Sequence, residues 1–108
     1  MASAKELTDQ GFDLFAKGNA DAAIEMLRGA VSADPGYIEA WRNLAMACGS
    51  KGLLDEAVAA ARRVVEIDPD DHLGYVSLSM FLQRLGRIPE AEDARDAAMA
   101  AQMRAGNR

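Results

Sequence analysis

Three aspartates, Asp68, Asp70 and Asp71, crowd against the only histidine of the chain, His72, in the stretch "EIDPDDHLGY", residues 66–75. Carboxylates beside an imidazole could hold a divalent cation. A zinc site would want a second histidine or a cysteine nearby, and a calcium loop would want alternating oxygen ligands around a glycine. Neither spacing is present. A nucleophilic pair would have to join Cys48, the single cysteine, to His72. Cys48 recurs in register with Leu14 and Leu82, on what reads as a core face, and a thiol buried in apolar surroundings is inert. The glycines are isolated turn residues, so no phosphate-cradling loop appears. Asp93 and Asp96, or Glu90 and Glu92, fall on an arginine-dotted terminal helix and read as a solvated face. No catalytic residue, metal ligand or cofactor site is expected, and the chain reads as a non-enzyme.

If the aspartates are not chemistry, they must be architecture, and composition says which kind. Of 108 residues half are hydrophobic but only 6% are aromatic, so the core must be built from Ala, Leu, Val, Ile and Met. Abundant alanine and few prolines favour helix. The net charge of −5 argues against a nucleic-acid groove or an anionic membrane surface. One cysteine cannot close an intramolecular disulfide, so no oxidising compartment is required. The beginning, "MASAKELTDQGF", has no apolar run of signal-peptide length, and nothing approaches a membrane span. A cytoplasmic protein is expected.

The order in the sequence is a period of 34 residues. Gly18, Gly52 and Gly86 share it, as do Ala23, Ala57 and Ala91, and Pro35 with Pro69. So do the sets Leu7, Trp41, Tyr75; Leu14, Cys48, Leu82; and Gly11, Ala45, Ser79. Several sets in one register mean three tandem repeats. Apolar residues within each repeat are spaced for helices. The glycines suit C-caps, and Pro89 suits a first helical turn. Six helices are expected, at about 3–16, 20–33, 37–50, 54–67, 71–84 and 88–104. Gly11, Ala45 and Ser79 are placed to face Ala23, Ala57 and Ala91 across each hairpin, so that the helices approach closely. Because Pro69 repeats Pro35, "DPDD" becomes a junction: proline ends one helix, and Asp70 or Asp71 can cap the next.

The period and the pattern W-x2-L-G-x2-Y…A-x3-F…P resemble the tetratricopeptide repeat. The middle unit carries it best, with Trp41, Leu44, Ala45, Cys48, Ala57 and Pro69. It departs at Cys48, where the pattern has tyrosine, and at Ala61, where it has phenylalanine. The first unit has Leu7 for the tryptophan, and the third has Met103 for the proline. The resemblance covers roughly residues 4–105. It implies an all-α, right-handed superhelical array of three units in a single domain, 1–108, with repeats at about 4–37, 38–71 and 72–105 and the last helix as a cap. On that last helix Glu92, Arg95 and Met99 replace the apolar face of Ile24, Leu27, Val31 and of Val58, Ala61, Val65. A charged end face is what a closing repeat needs, and so a complete module is expected.

In such an array one face of each first helix stays unpacked. Rotating 100° per residue from Leu7, Gly11 and Leu14 puts Lys5, Asp9 and Phe12 on that face. In the second unit it carries Glu39, Asn43 and Met46; in the third, Leu73, Ser77 and Met80. Thr8, Arg42 and Val76 lie at its edge. Phe12, Met46 and Met80 are in one register and form an apolar ladder, and exposed apolar patches of that kind mark binding sites. Methionine suits a surface that adapts to its partner. Asp9, Arg42, Asn43, Ser77 and Arg84 could orient a bound segment. The resemblance implies a protein-interaction module that takes a peptide or helix of a partner in the concave groove. It also supplies a test of one partner class. The two-carboxylate clamp that grips Hsp70 or Hsp90 C-terminal tails would fall on Thr8, Phe12, Asn43, Leu73 and Ser77. Only Asn43 agrees, so such a tail is not the expected ligand. The alternative is a self-assembly unit associating through its ends, for which Met99 and Met103 leave some apolar surface.

Overall fold

The computed structural model describes residues 2–107. Its helices are α1 (Ala4–Ala16), α2 (Ala20–Ala33), α3 (Ile38–Ser50), α4 (Leu54–Ile67), α5 (His72–Arg84) and α6 (Ile88–Gly106). They pair as three antiparallel hairpins, stacked so that α3 also meets α1 and α2, and α5 meets α4. The expected boundaries hold to within a residue, except that α6 runs two residues further. Among the described residues no helix is long and apolar enough to cross a membrane.

Local chemistry sets these ends. Ser3 opens α1 with a capping box: its hydroxyl accepts from the Glu6 N–H at 3.1 Å, and the Glu6 carboxylate accepts from the Ser3 N–H at 3.5 Å. Each hairpin turns at a glycine with positive φ: Gly18 at 85°, Gly52 at 76° and Gly86 at 78°. A Cβ at these glycines would touch nothing, so backbone conformation alone demands glycine there. Between hairpins, Asp34 and Asp68 end α2 and α4 in the same way. Asp34 Oδ1 accepts from the Gly36 N–H at 3.0 Å, and Asp68 Oδ1 from the Asp70 N–H at 3.1 Å.

The aspartate cluster is therefore junction structure. Asp68 closes the turn, and Asp70 accepts from Arg104 Nε at 2.9 Å, tying the end of α6 back to the loop before α5. One expectation needs correcting. Asp71 occupies the N-cap position of α5, yet its side chain makes no capping bond. The carboxylate pairs instead with Arg42 of α3, a full charge being a stronger partner than a backbone N–H.

Small residues set the hairpin spacing. A Cβ at Gly11 would come within 2.7 Å of Leu27 Cγ and 3.3 Å of the Ala23 carbonyl oxygen. In the third hairpin the Ser79 hydroxyl donates to the Ala91 carbonyl oxygen at 2.8 Å. Leu27, Leu82 and Cys48 are the largest fully buried side chains. On the side of the second helices, Arg28 of α2 grips Glu56 of α4 through Nε (2.9 Å) and Nη2 (2.6 Å), and one repeat later Arg62 meets Glu90 at 3.0 Å. The next place in that register holds Asp96, so the arginine series stops and changes sign. Along the outer face of α6, Glu92 and Arg95 are exposed where the matching Ile24, Val58, Leu27 and Ala61 are buried, and Met99 is exposed where Val31 and Val65 are half-buried; Met103 is exposed as well.

The Arg28 guanidinium, by hydrogen bonds first and charge second, holds the Glu56 carboxyl below its ordinary value. A depressed carboxylate stabilises the fold above its unfolded pKa, and that contribution is lost as pH falls through the folded value. Below about pH 4 the wild-type Tm should therefore fall more steeply than that of Glu56→Gln. Thermal melts across pH 3–7 check this, and parallel curves for the two proteins would remove Glu56 from the acid sensitivity.

Candidate binding groove

Cys48 and His72 form no reactive pair. Cys48 is fully buried, and burial, reinforced by the nearby Glu56 charge, pushes its thiol up to about 11. His72 is the first residue of α5 and half-buried. Among the described residues, no group of three His, Cys, Asp or Glu is placed to hold a metal ion. Added Zn²⁺ or Ca²⁺ should leave the Tm unchanged, since a ligand raises stability only by binding the folded state. A saturable rise that disappears in His72→Ala would overturn this reading of the junction.

The prominent concavity is a cleft of about 490 Å³ on the first helices α3 and α5. Its floor is made of small residues and the core beneath them: Ala45 and Gly49 of α3, Gly74 of α5, and Ala61 and Val64 of α4. Gly74 lets α5 settle onto α4, because a Cβ there would lie 2.9 Å from both Val64 Cγ1 and Val65 Cγ1. At Gly49 a Cβ would overlap the ring of Phe81, which reaches across from α5. Met46 and Met80 rise on the two sides, 42% and 48% exposed, with the more exposed Leu73 beside them.

Of the residues expected on this face, Arg42, Asn43, Met46, Leu73, Ser77, Met80 and Arg84 come together around the cleft. Phe12 and Val76 are exposed but stand outside it. Lys5 and Asp9 pair with each other at 2.8 Å on the solvent side of α1. Glu39 pairs with Arg42 at 3.3 Å. Thr8 is a correction: it is only 3% exposed, and its hydroxyl donates to the Ala4 carbonyl oxygen at 2.7 Å. It cannot line an open groove, since α1 packs against α3 as well as α2 and threonine turns its hydroxyl back on its own helix. Phe15, Ser50 and Phe81, with the floor glycines Gly49 and Gly74, line the cleft without having been anticipated. Gly49 and Gly74 were the available signal, since a glycine inside a helix marks close approach of a neighbour.

The two arginines at the cleft differ. Arg42 is held between Glu39 and Asp71, and so links α3 to the start of α5. Arg84, in the last turn of α5, donates through Nη1 to the Gly49 carbonyl oxygen at 3.2 Å. Asn43, Ser50 and Ser77 supply uncharged hydrogen-bonding groups between them.

Three stacked helical hairpins, turned at glycines 34 residues apart, define a helical-repeat solenoid whose first helices carry the cleft. The chain belongs to the tetratricopeptide repeat family, whose model matches residues 14–78. It is also similar to a chloroplastic pentatricopeptide repeat-containing protein of Arabidopsis thaliana, 34% identical over 55 residues, which is 51% of this chain and 6% of that one. Among solved structures it superposes on MamA with a TM-score of 0.93 at 24% identity, over 98% of this chain and 62% of that chain. It superposes on the second TPR domain of Spaghetti (RPAP3), bound to an HSP90 peptide, with a TM-score of 0.84 at 21% identity, over 92% of each chain.

Proposed function

We propose that this chain is a protein-interaction module that takes a peptide or helix of a partner protein in the cleft between α3 and α5, and that it performs no catalysis. The observation that carries the reading is the exposure of Met46, Leu73 and Met80 around one concavity floored by small residues. Exposing large apolar side chains together costs solubility and is otherwise unexplained. A relative of the same fold holds a peptide of HSP90. The two-carboxylate clamp for Hsp70 or Hsp90 tails has no counterpart at these positions, since Phe12, Leu73 and Ser77 carry no charge and Thr8 is buried.

Association through the end helices is the second reading, favoured by exposed Met99 and Met103. Against it stands the charge register: a further unit stacked on α6 would meet Asp96 where Arg28 and Arg62 hold their neighbours.

Met46→Glu and Met80→Glu test the groove. Each sets a carboxylate against an apolar ligand, which should cost several kcal/mol of binding, roughly a hundredfold or more in affinity. Affinity measured on captured partners, or on selected peptides, reads the effect. Variants that fold normally and bind every partner as wild type does would move the binding surface elsewhere.

A further inference from the structure

We propose that Arg84 receives a carboxylate of the bound segment, so that the groove selects an extended peptide carrying large apolar side chains and one acidic group; this rests on the groove reading above. Among the described residues, every lysine and arginine has a carboxylate within ion-pair distance except Arg84 and Arg95. Asp and Glu outnumber Lys and Arg by 17 to 12, so carboxylates are not scarce. A cation without one in such a chain reflects its position. Arg84 is the one of the two that lines the apolar cleft.

Its setting is that of a receptor group. The bond from Nη1 to the Gly49 carbonyl oxygen anchors the guanidinium across the end of the cleft. The carbonyls at the end of α3 carry the negative pole of that helix and favour a cation there. A guanidinium has five N–H donors in a fixed fork, and this bond uses one of them, which leaves a geometry suited to a carboxylate. Arg42, the other cation at the cleft, is taken by Glu39 and Asp71 and offers no equivalent place. Met46, Met80 and Phe81 line the same cleft, so a segment bound over them would displace water there and strengthen a charge-assisted bond formed beside them. About 490 Å³ holds a few side chains, so the acidic group must lie within a residue or two of the apolar anchors.

The probe is a random nine-residue peptide library displayed on phage and panned against the wild-type protein. Enriched peptides are then synthesised with amidated and with free C-termini. We expect enriched sequences to carry Asp or Glu beside large apolar residues. Changing that Glu to Gln in the peptide should weaken binding to wild type roughly tenfold or more, and leave binding to Arg84→Gln unaltered. A Lys at that peptide position should bind Arg84→Glu better than it binds wild type. A preference for the free over the amidated C-terminus would assign the carboxylate to a chain end, and equal binding to a side chain. If enriched peptides lose affinity in Met46→Glu but are indifferent to Arg84→Gln and to their own acidic residue, the groove stands and the carboxylate site is overturned. Peptides insensitive to Met46→Glu, or no enrichment at all, overturn the groove and this inference together. The peptide-side exchange is read in wild type, so a poorly folded Arg84 variant does not protect the proposal.

Discussion

Leu44→Glu should leave the array largely unfolded at room temperature, while Met46→Glu, two residues along the same helix, should melt close to wild type. The two positions differ by about 200° around α3. Leu44 is 3% exposed and sits in the cluster that contains Cys48, Ala57, Leu78 and Leu82. A carboxylate there loses its water, and the cluster around it is apolar. Burying an unpaired charge costs several kcal/mol at the least, against a total of about 5–15 kcal/mol for a domain. Met46 and Met80 stand at the cleft with nearly half their surface in solvent. Substitutions at such sites stay within about 0.5 kcal/mol, which for a domain of this size shifts the Tm by no more than about 4 °C. Circular dichroism melts of Leu44→Glu, Met46→Glu and Met80→Glu decide the matter. Should the methionine variants melt as early as Leu44→Glu, those side chains are core and the groove assignment fails.

That contrast was readable from the sequence because it depends on periodicity alone. A repeat of 34 residues fixes which positions are equivalent, and equivalence identifies glycine turns, small hairpin contacts and the apolar face toward the core. Helix ends were equally legible, since Gly18, Gly52, Gly86, Pro35 and Pro69 act on their own backbone. Contacts that cross from one repeat to the next were harder to see. A wheel drawn on α1 alone leaves Thr8 at an open edge, but α1 packs against both α2 and α3, and Thr8 is buried. Asp71 is in the right place for a cap, and only the position of Arg42 on another helix explains why it does not act as one. Phe81 carries no periodic signal: its register holds Asp13 in the first unit and Ala47 in the second. The ladder of Phe12, Met46 and Met80 does repeat, so the period marks position 80 and not its neighbour 81.

Phe81 and Gly49 should behave as a single packing unit, and a double-mutant cycle exposes it. Phe81 is 4% exposed, and its ring lies where a Cβ on Gly49 would be. Phe81→Ala should cost about 3–5 kcal/mol, because the lost ring leaves a cavity at the joint between the second and third hairpins. Gly49→Ala in wild type combines two opposed effects. Alanine favours helix over glycine by up to about 1 kcal/mol, while forcing a methyl into a packed core costs about 1–3 kcal/mol. Since Phe81 is buried in the core cluster, the steric cost should win and Gly49→Ala should destabilise. Once Phe81 is alanine, the obstacle is gone. Gly49→Ala should then stabilise by up to about 1 kcal/mol, through helix propensity and partial filling of the cavity. The sign of one substitution thus reverses with the identity of a residue 32 positions away. Urea unfolding of the four proteins measures the coupling, expected at about 1–3 kcal/mol. If Gly49→Ala stabilises wild type and Phe81→Ala equally, the two residues are independent, and close approach of the ring is not what glycine at position 49 permits.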